Sequence, residues 1–563
     1  MKVCQRPAVA LSGLFAAALL AACASPQPTA VPLACAELPA ALKSLTTLPA
    51  VRLTAANEVP ADDQGHPALC RVTGVASERT GSDGRHYAIG FEMRLPVAWN
   101  HRFLQQVNGG NDGKVQPALG NLGVLEADAL QRGFAVISSD SGHSDADPAN
   151  VAAGLTQGNV FGLDPQARRD YGYSADDTVF RIAQALIERR YGEPPRRNYI
   201  AGCSNGGRHA LVDATRWGER YDGVLAGDPG LNLPKAAVQH AWDVQSWRLA
   251  NADIRQAFSP ADLRVVADAV LRQCDGLDDL VDGIVGDLAR CQQAFRPEAL
   301  TCQGGQTSNC LAPAQVAALK RSFAGPHDSQ GRALYADWPW DAGIAAGNWR
   351  FWKLESRIPP WNRMPLIATM GAGSLSYIFT TPPTPTPGTP DALLQYLIGF
   401  DFDRDAPRIY ATDGAYTESA MAFMTPPDVD DPRLASLRAH GGKLIVYHGN
   451  SDPVFSVNDT TNWFARLRAH GGGDFARLYT VPGMTHCSGG PATDRFDVLG
   501  ALVDWVEEGR APQALVATVD PHNADLPAGW SRARTRPLCP WPQVPRYGGG
   551  DTEAAASFRC IEP

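Results

Sequence analysis

The feature that most constrains this 563-residue chain is the run Tyr199-Ile200-Ala201-Gly202-Cys203-Ser204-Asn205-Gly206-Gly207-Arg208. A short apolar strand, Asn198 to Ala201, leads directly into a helical pattern over Gly207 to Thr215, with Gly-x-Ser-x-Gly at the junction. Strand and helix backbones approach closely at such a turn, so the flanking positions must be tiny, and Gly202 and Gly206 meet that requirement. The junction predicts an α/β chain with Ser204 standing proud of the end of a strand.

A serine hydroxyl is a poor nucleophile at neutral pH. It needs a histidine to take its proton and a carboxylate to fix the tautomer of that histidine. Downstream, the strand Lys443 to Tyr447 is followed by His448-Gly449-Asn450-Ser451-Asp452-Pro453, and the strand Ala476 to Val481 by Pro482-Gly483-Met484-Thr485-His486-Cys487. The order serine, acid, histidine is that of the α/β-hydrolase fold. It nominates Ser204, Asp452 and His486, with His448 as the competitor for the base. An oxyanion hole needs two backbone N–H groups. Asn205 follows the serine, and Asn108-Gly109-Gly110-Asn111-Asp112-Gly113 follows an early strand; Gly110 is the favoured second donor and Gly109 fits nearly as well.

Apolar runs and turn signals place strands at His86 to Leu95, Phe103 to Val107 and Phe134 to Ser138, and a helix at Asp177 to Tyr191. The alternation stops over residues 231–436, which are rich in Trp, Pro and Cys, and resumes at 437. The expectation is a catalytic domain over 35–230 and 437–563, interrupted by an inserted lid over 231–436, with a C-terminal extension.

Lys2 and Arg6 precede the apolar run Leu11 to Ala22, too short to span a bilayer as a mature helix, so residues 1–23 read as an export signal. Leu20-Ala21-Ala22-Cys23 has the pattern of a bacterial lipoprotein box, making Cys23 the expected lipid anchor and cleavage after Ala24 the alternative. A periplasmic, membrane-anchored or secreted protein is implied. Residues 24–34 read as a tether. The net charge of −9, with both signs interspersed, lacks the clustered basic face that nucleic acid requires. Of twelve cysteines, setting aside Cys4 and Cys23 leaves ten, an even number that suits disulfides in an exported chain.

Cys203 stands directly before the serine and Cys487 directly after the histidine. With that pair the chain resembles the tannase and feruloyl esterase family, whose signature is a disulfide joining those neighbours. The segment Tyr377-Ile378-Phe379-Thr380-Thr381-Pro382-Pro383 also looks like a lid segment of feruloyl esterases. The resemblance implies the bridge Cys203–Cys487, and the further pairs Cys35–Cys70, Cys274–Cys291, Cys302–Cys310 and Cys539–Cys560. It also implies that the run from Cys274 to Ile284 is the family's calcium loop. Asp275, Asp278 and Asp282 would offer carboxylates, and Leu280 and Ile284 backbone carbonyls, an all-oxygen set that suits Ca²⁺ in a structural role.

The family's usual substrates are esters of aromatic acids: gallates, feruloyl sugars and, in one branch, mono(2-hydroxyethyl) terephthalate. The resemblance therefore implies a secreted serine esterase. In the lid, Trp338, Trp340, Trp349, Trp352, Trp361, Tyr377 and Phe379 offer rings to stack on an aromatic acyl group. Arg350, Arg357 and Arg363 lie near enough in sequence to hold a terephthalate carboxylate. A phenolic ester is the leading expectation and the terephthalate monoester the alternative. Two other classes are a non-catalytic binding lipoprotein on the same fold and a metal-dependent hydrolase, for which no His-rich zinc spacing is present.

Overall fold

The computed structural model describes residues 31–43, 48, 50–306 and 308–563. The export signal and Cys23 lie outside the described residues, as does most of the tether. No helix among the described residues is long and apolar enough to cross a membrane.

Nine strands form one sheet: β1 (Val51–Val59), β2 (Leu69–Thr80), β3 (His86–Pro96), β4 (Arg102–Gln106), β5 (Ala135–Ser139), β6 (Arg197–Cys203), β7 (Gly223–Gly227), β8 (Lys443–Gly449) and β9 (Ala476–Val481), in the order β1-β2-β3-β5-β4-β6-β7-β8-β9. The first three pair antiparallel, as does β3 with β5. From β5 to β9 all pairs are parallel. Parallel strands buried on both faces need apolar side chains at successive positions. Phe103, Ala135, Ile200, Val224 and Leu444 face one core, and their neighbours Leu104, Val136, Tyr199, Leu225 and Ile445 the other.

The first core is covered by α1 (Ala175–Tyr191) and α2 (Asn205–Arg216). The helix α3 (Leu233–Ala250) opens the insertion, which continues through α4 (Pro260–Cys274) and α5 (Pro313–Phe323). After β8, α6 (Val457–Ala469) returns to the first core and α7 (Val498–Glu508) closes the second. The helix predicted from Asp177 begins two residues earlier. It stops at Gly192, whose φ of +79° ends the last turn in the left-handed region.

The insertion has its own core around Trp247, Phe258 and Trp349. That core also takes in Phe161 and Tyr171, from the loop between β5 and α1, and Phe455, from the loop after β8. At its far end, Val429, Leu434 and Leu437 pack in the first sheet core. The C-terminal segment forms two small antiparallel pairs, Leu515–Thr518 with Thr535–Leu538 and Val544–Tyr547 with Phe558–Ile561. All five expected disulfides are present.

Candidate active site

Every nominated group sits beyond the carboxyl end of a parallel strand, where an α/β sheet opens its crevice. Ser204 ends β6 with φ +68° and ψ −127°. The turn is held by its N–H on the Gly227 carbonyl at 2.9 Å and by the Arg208 N–H on its own carbonyl at 3.1 Å. A Cβ at Gly202 or at Gly206 would lie 2.4 Å from the Val107 carbonyl oxygen, so both glycines are sterically required.

The loop after β9 brings His486 Nε2 to 2.8 Å from Ser204 Oγ, and His486 Nδ1 lies 2.8 Å from Asp452 Oδ2. Asp452 Oδ1 accepts from the N–H groups of Val454 at 2.6 Å and Phe455 at 3.2 Å. Burial pushes the Asp452 carboxyl up, but His486 and His448 together outweigh it and hold the group far below the usual carboxylate range. His448, the alternative base, is fully buried and does not reach the serine. Its Nδ1 meets Thr460 Oγ1 at 2.9 Å and its Nε2 the Phe455 carbonyl at 3.1 Å.

Cys203 and Cys487 are bridged across 284 residues of sequence, tying the serine turn to the histidine loop. Gly110 and Asn205 line the same hollow as Ser204. Gly110, at φ +68°, also accepts a hydrogen bond from the Tyr171 hydroxyl at 3.2 Å, while Gly109 backs the serine itself, with its Cβ position 3.9 Å from Oγ.

Several supporting residues carry no sequence signal. Asn205 Nδ2 donates to Asp112 at 3.0 Å and its Oδ1 accepts from Arg208 at 2.9 Å, so the residue after Ser204 is fixed from behind. Asp112 and Asp176 together hold His209, at 3.2 and 2.6 Å. From the insertion, Asp341 Oδ2 accepts from Ser451 Oγ and from the Gly483 N–H, both at 2.8 Å, joining the acid loop to the histidine loop. Trp338 donates to the Asp452 carbonyl at 3.1 Å. Only a fold that stacks the insertion on these loops gives such residues a role.

A hollow opens over Ser204 between the sheet edge and the insertion. Its walls include Leu233, Ala237, Trp352, Phe379, Val454 and Phe455. Of the seven lid aromatics, Trp352 and Phe379 therefore reach it. Trp361 lines an adjoining hollow, while Trp338, Trp349 and Tyr377 are buried in the insertion's core. Trp340 stacks on Phe323 at 4.0 Å. The lid arginines do not reach the hollow: Arg350 is paired with Glu355 and the Phe258 carbonyl, Arg363 with Glu355, and Arg357 is exposed.

His240 also lines the hollow, at positions i, i+4 and i+7 with Leu233 and Ala237 on α3. Burial, helped by the nearby Lys353, lowers it to about 3, so it is a neutral imidazole at ordinary pH.

In the loop after α4, Asp275 accepts from the N–H groups of Asp282 and Gly283 at 2.9 Å each. Asp278 is buried, and burial together with repulsion from Asp282 and Asp275 raises it to about 7. A Cβ at Gly286 would fall 2.1 Å from Asp278 Oδ2, so the carboxylate has room only because that position is glycine. The carboxyls of Asp275, Asp278 and Asp282 are near enough to repel one another, and their oxygens are the hard donors that a calcium ion takes. Arg536 pairs with Asp282 from the C-terminal segment.

The model of the tannase and feruloyl esterase family matches residues 70–561. The chain belongs to this family. It is 42% identical over 526 residues to the mono(2-hydroxyethyl) terephthalate hydrolase of Piscinibacter sakaiensis, covering 88% of this chain and 85% of that one. A probable feruloyl esterase of Arthroderma benhamiae is 28% identical, covering 84% and 82%. Among solved structures, feruloyl esterase B of Aspergillus oryzae superposes with a TM-score of 0.71 at 22% identity, covering 94% of this chain and 99% of that one. Tannin acyl hydrolase of Aspergillus niger gives 0.59 at 21%, covering 91% and 90%. Both share the α/β-hydrolase fold. This tannase-family protein is accordingly a carboxylic ester hydrolase.

Proposed function

We propose that the chain is an exported serine esterase that cleaves esters of aromatic, phenolic acids through an acyl-enzyme on Ser204. The observation that carries this reading is the continuous relay Ser204 Oγ, His486, Asp452, with both hydrogen bonds at 2.8 Å, beneath a hollow walled by Trp352, Phe379 and Phe455.

In the first step His486 Nε2 takes the Ser204 proton as Oγ attacks the ester carbonyl. The Gly110 and Asn205 N–H groups stabilise the oxyanion. His486 then protonates the leaving alcohol. Water repeats the sequence on the acyl-enzyme and releases the acid. Asp452 stays ionised throughout and stabilises the imidazolium.

A terephthalate monoester is a second reading, favoured by the 42% identity to a hydrolase of that name. Against it, neither the hollow over Ser204 nor the groove on the other side of the serine has a lysine or arginine in its lining. Placing an unpaired carboxylate there would cost several kcal/mol. The neutral His240 suits an uncharged, hydrogen-bonding ring substituent better. We assign Ca²⁺ to Asp275, Asp278, Asp282 and the carbonyls of Leu280 and Ile284 as a structural ion, and Cys23 to lipid anchorage or export processing.

The test is hydrolysis of methyl ferulate, methyl gallate and mono(2-hydroxyethyl) terephthalate by the mature chain and by Ser204→Ala. Turnover of a phenolic ester that falls at least about a thousandfold in the variant supports the reading. A variant that keeps its activity, or no turnover on any of the three, overturns it.

A further inference from the structure

Asp228 lies one residue beyond the end of β7, between the strand that carries the serine and the strand that precedes Asp452. It is fully buried and has φ +37°, an uncommon conformation for a residue with a side chain. Its N–H is bound to the Tyr447 carbonyl at 2.8 Å, and its Oδ1 accepts from the Gly449 N–H at 2.9 Å. The backbone on both sides therefore fixes where the carboxyl points.

It points at the catalytic pair. One oxygen of Asp228, one of Asp452 and a ring nitrogen of His486 all lie within 4.8 Å of one another. The Asp228 carboxyl is equally close to the sulfurs of Cys203 and Cys487. The Cys203 sulfur sits 3.8 Å from Asp228 Oδ2, and a disulfide sulfur has no hydrogen to donate. One carboxyl oxygen is thus buried against the triad without a conventional donor. A buried acid with no cation partner of its own is costly.

Resting on the assignment of Ser204, His486 and Asp452 above, we propose that Asp228 is a positioning residue of the triad, a second acid that acts on His486 alongside Asp452. The groups facing it are His448 and Asp452 from the loop after β8, Tyr447 from β8 and His486 from the loop after β9. Burial raises Asp228 to about 7, with repulsion from Asp452 adding to the rise and His448 and His486 opposing it. Below that pH the carboxyl is neutral and leaves His486 free to act as a base. As it ionises, its charge favours the imidazolium that forms when Ser204 loses its proton. If Asp452 is removed, Asp228 is the remaining carboxylate within reach of the imidazole.

The test is a double-mutant cycle of Asp228→Asn and Asp452→Asn, read as kcat/KM on p-nitrophenyl acetate, with the pH profile of each single variant. The expected result is coupling. Asp228→Asn costs at least about tenfold more in the Asp452→Asn background than in the wild type, and alone it removes one of two ionisations from the acid side of the profile. A merely structural Asp228 would lower activity by the same factor in both backgrounds and leave the number of ionisations unchanged, which overturns the proposal. Should Asp228→Asn fail to fold, the wild-type profile decides. Two ionisations on its acid side support the proposal, and a single one contradicts it. Ser204→Ala serves as the control: if it retains turnover, the triad assignment has failed rather than the role of Asp228.

Discussion

Trp352, carried by the insertion, meets His486 of the sheet edge in a T-shaped contact with ring centroids 5.2 Å apart. Phe455 packs on the same imidazole at 5.5 Å, so His486 is held between an aromatic from the lid and one from the loop after β8. Such ring pairs contribute about 0.5–1.5 kcal/mol beyond their buried area. Trp352 also lines the hollow over Ser204, so one side chain borders both that hollow and the imidazole. Trp352→Ala is expected to lower kcat/KM on phenolic esters by roughly tenfold or more, and Trp352→Phe to recover most of the loss. Equal activity of Trp352→Ala and wild type in steady-state assays would remove the lid from the catalytic account.

The Cys203–Cys487 bridge ties the serine turn directly to the histidine loop. Replacing both cysteines with alanine should lower stability by about 2–4 kcal/mol. It should also lower kcat at temperatures where the variant is still folded, because the 2.8 Å Ser204–His486 contact is no longer clamped. Thermal unfolding and assays at 15 °C separate the two effects; a variant that loses stability and keeps full kcat would show the bridge to be structural alone.

Two buried histidines make the fold sensitive to acid. Burial lowers His143 to about 3, with backbone groups of Asn111 and Ser141 offsetting part of the effect, and His240 to about 3. The unfolded chain binds these protons near pH 6.5, so between about 6.5 and 3 the unfolded state holds more protons and stability falls as the pH falls. His143 stacks on Phe161 at 3.8 Å, which a phenylalanine would preserve. His143→Phe is expected to lose less Tm than the wild type between pH 7 and pH 5. A parallel fall in the two proteins would contradict this.

Removal of the calcium ion proposed above should act on stability. Asp282 of the loop is paired with Arg536, and Asp287 with Arg546 at 3.0 Å, so the loop anchors the C-terminal segment. Chelation is expected to lower Tm by roughly 5 °C or more, with recovery on adding Ca²⁺. Assays at 25 °C should change little, since the ligands lie away from Ser204. An unchanged Tm would argue against an ion at Asp275, Asp278 and Asp282.

The relay of Ser204, Asp452 and His486 was legible because each residue follows a strand whose apolar run is plain in the sequence, and because adjacent cysteines flag two of them. The strand Gly223–Gly227 was not, since its two glycines and single alanine give a weak strand signal. Missing it also hid Asp228, whose importance depends on standing at the end of that strand. Asp341 was invisible for a different reason: its partners, Ser451 and Gly483, are more than a hundred residues away, and only the docking of the insertion brings them together. Which few of the lid aromatics line the pocket was not legible, because a Trp-rich segment must first build its own core. Trp349 packs at 6.3 Å from Trp247, leaving Trp352 and Phe379 for the hollow over Ser204.

The most direct measurement is the intact mass of the protein after reaction with a serine-directed fluorophosphonate, followed by peptide mapping and an assay of residual esterase activity. The account predicts one adduct, on the peptide containing Ser204, its formation tracking the loss of turnover on a phenolic methyl ester and absent from Ser204→Ala. An adduct on another residue, or full turnover by protein labelled at Ser204, would contradict it.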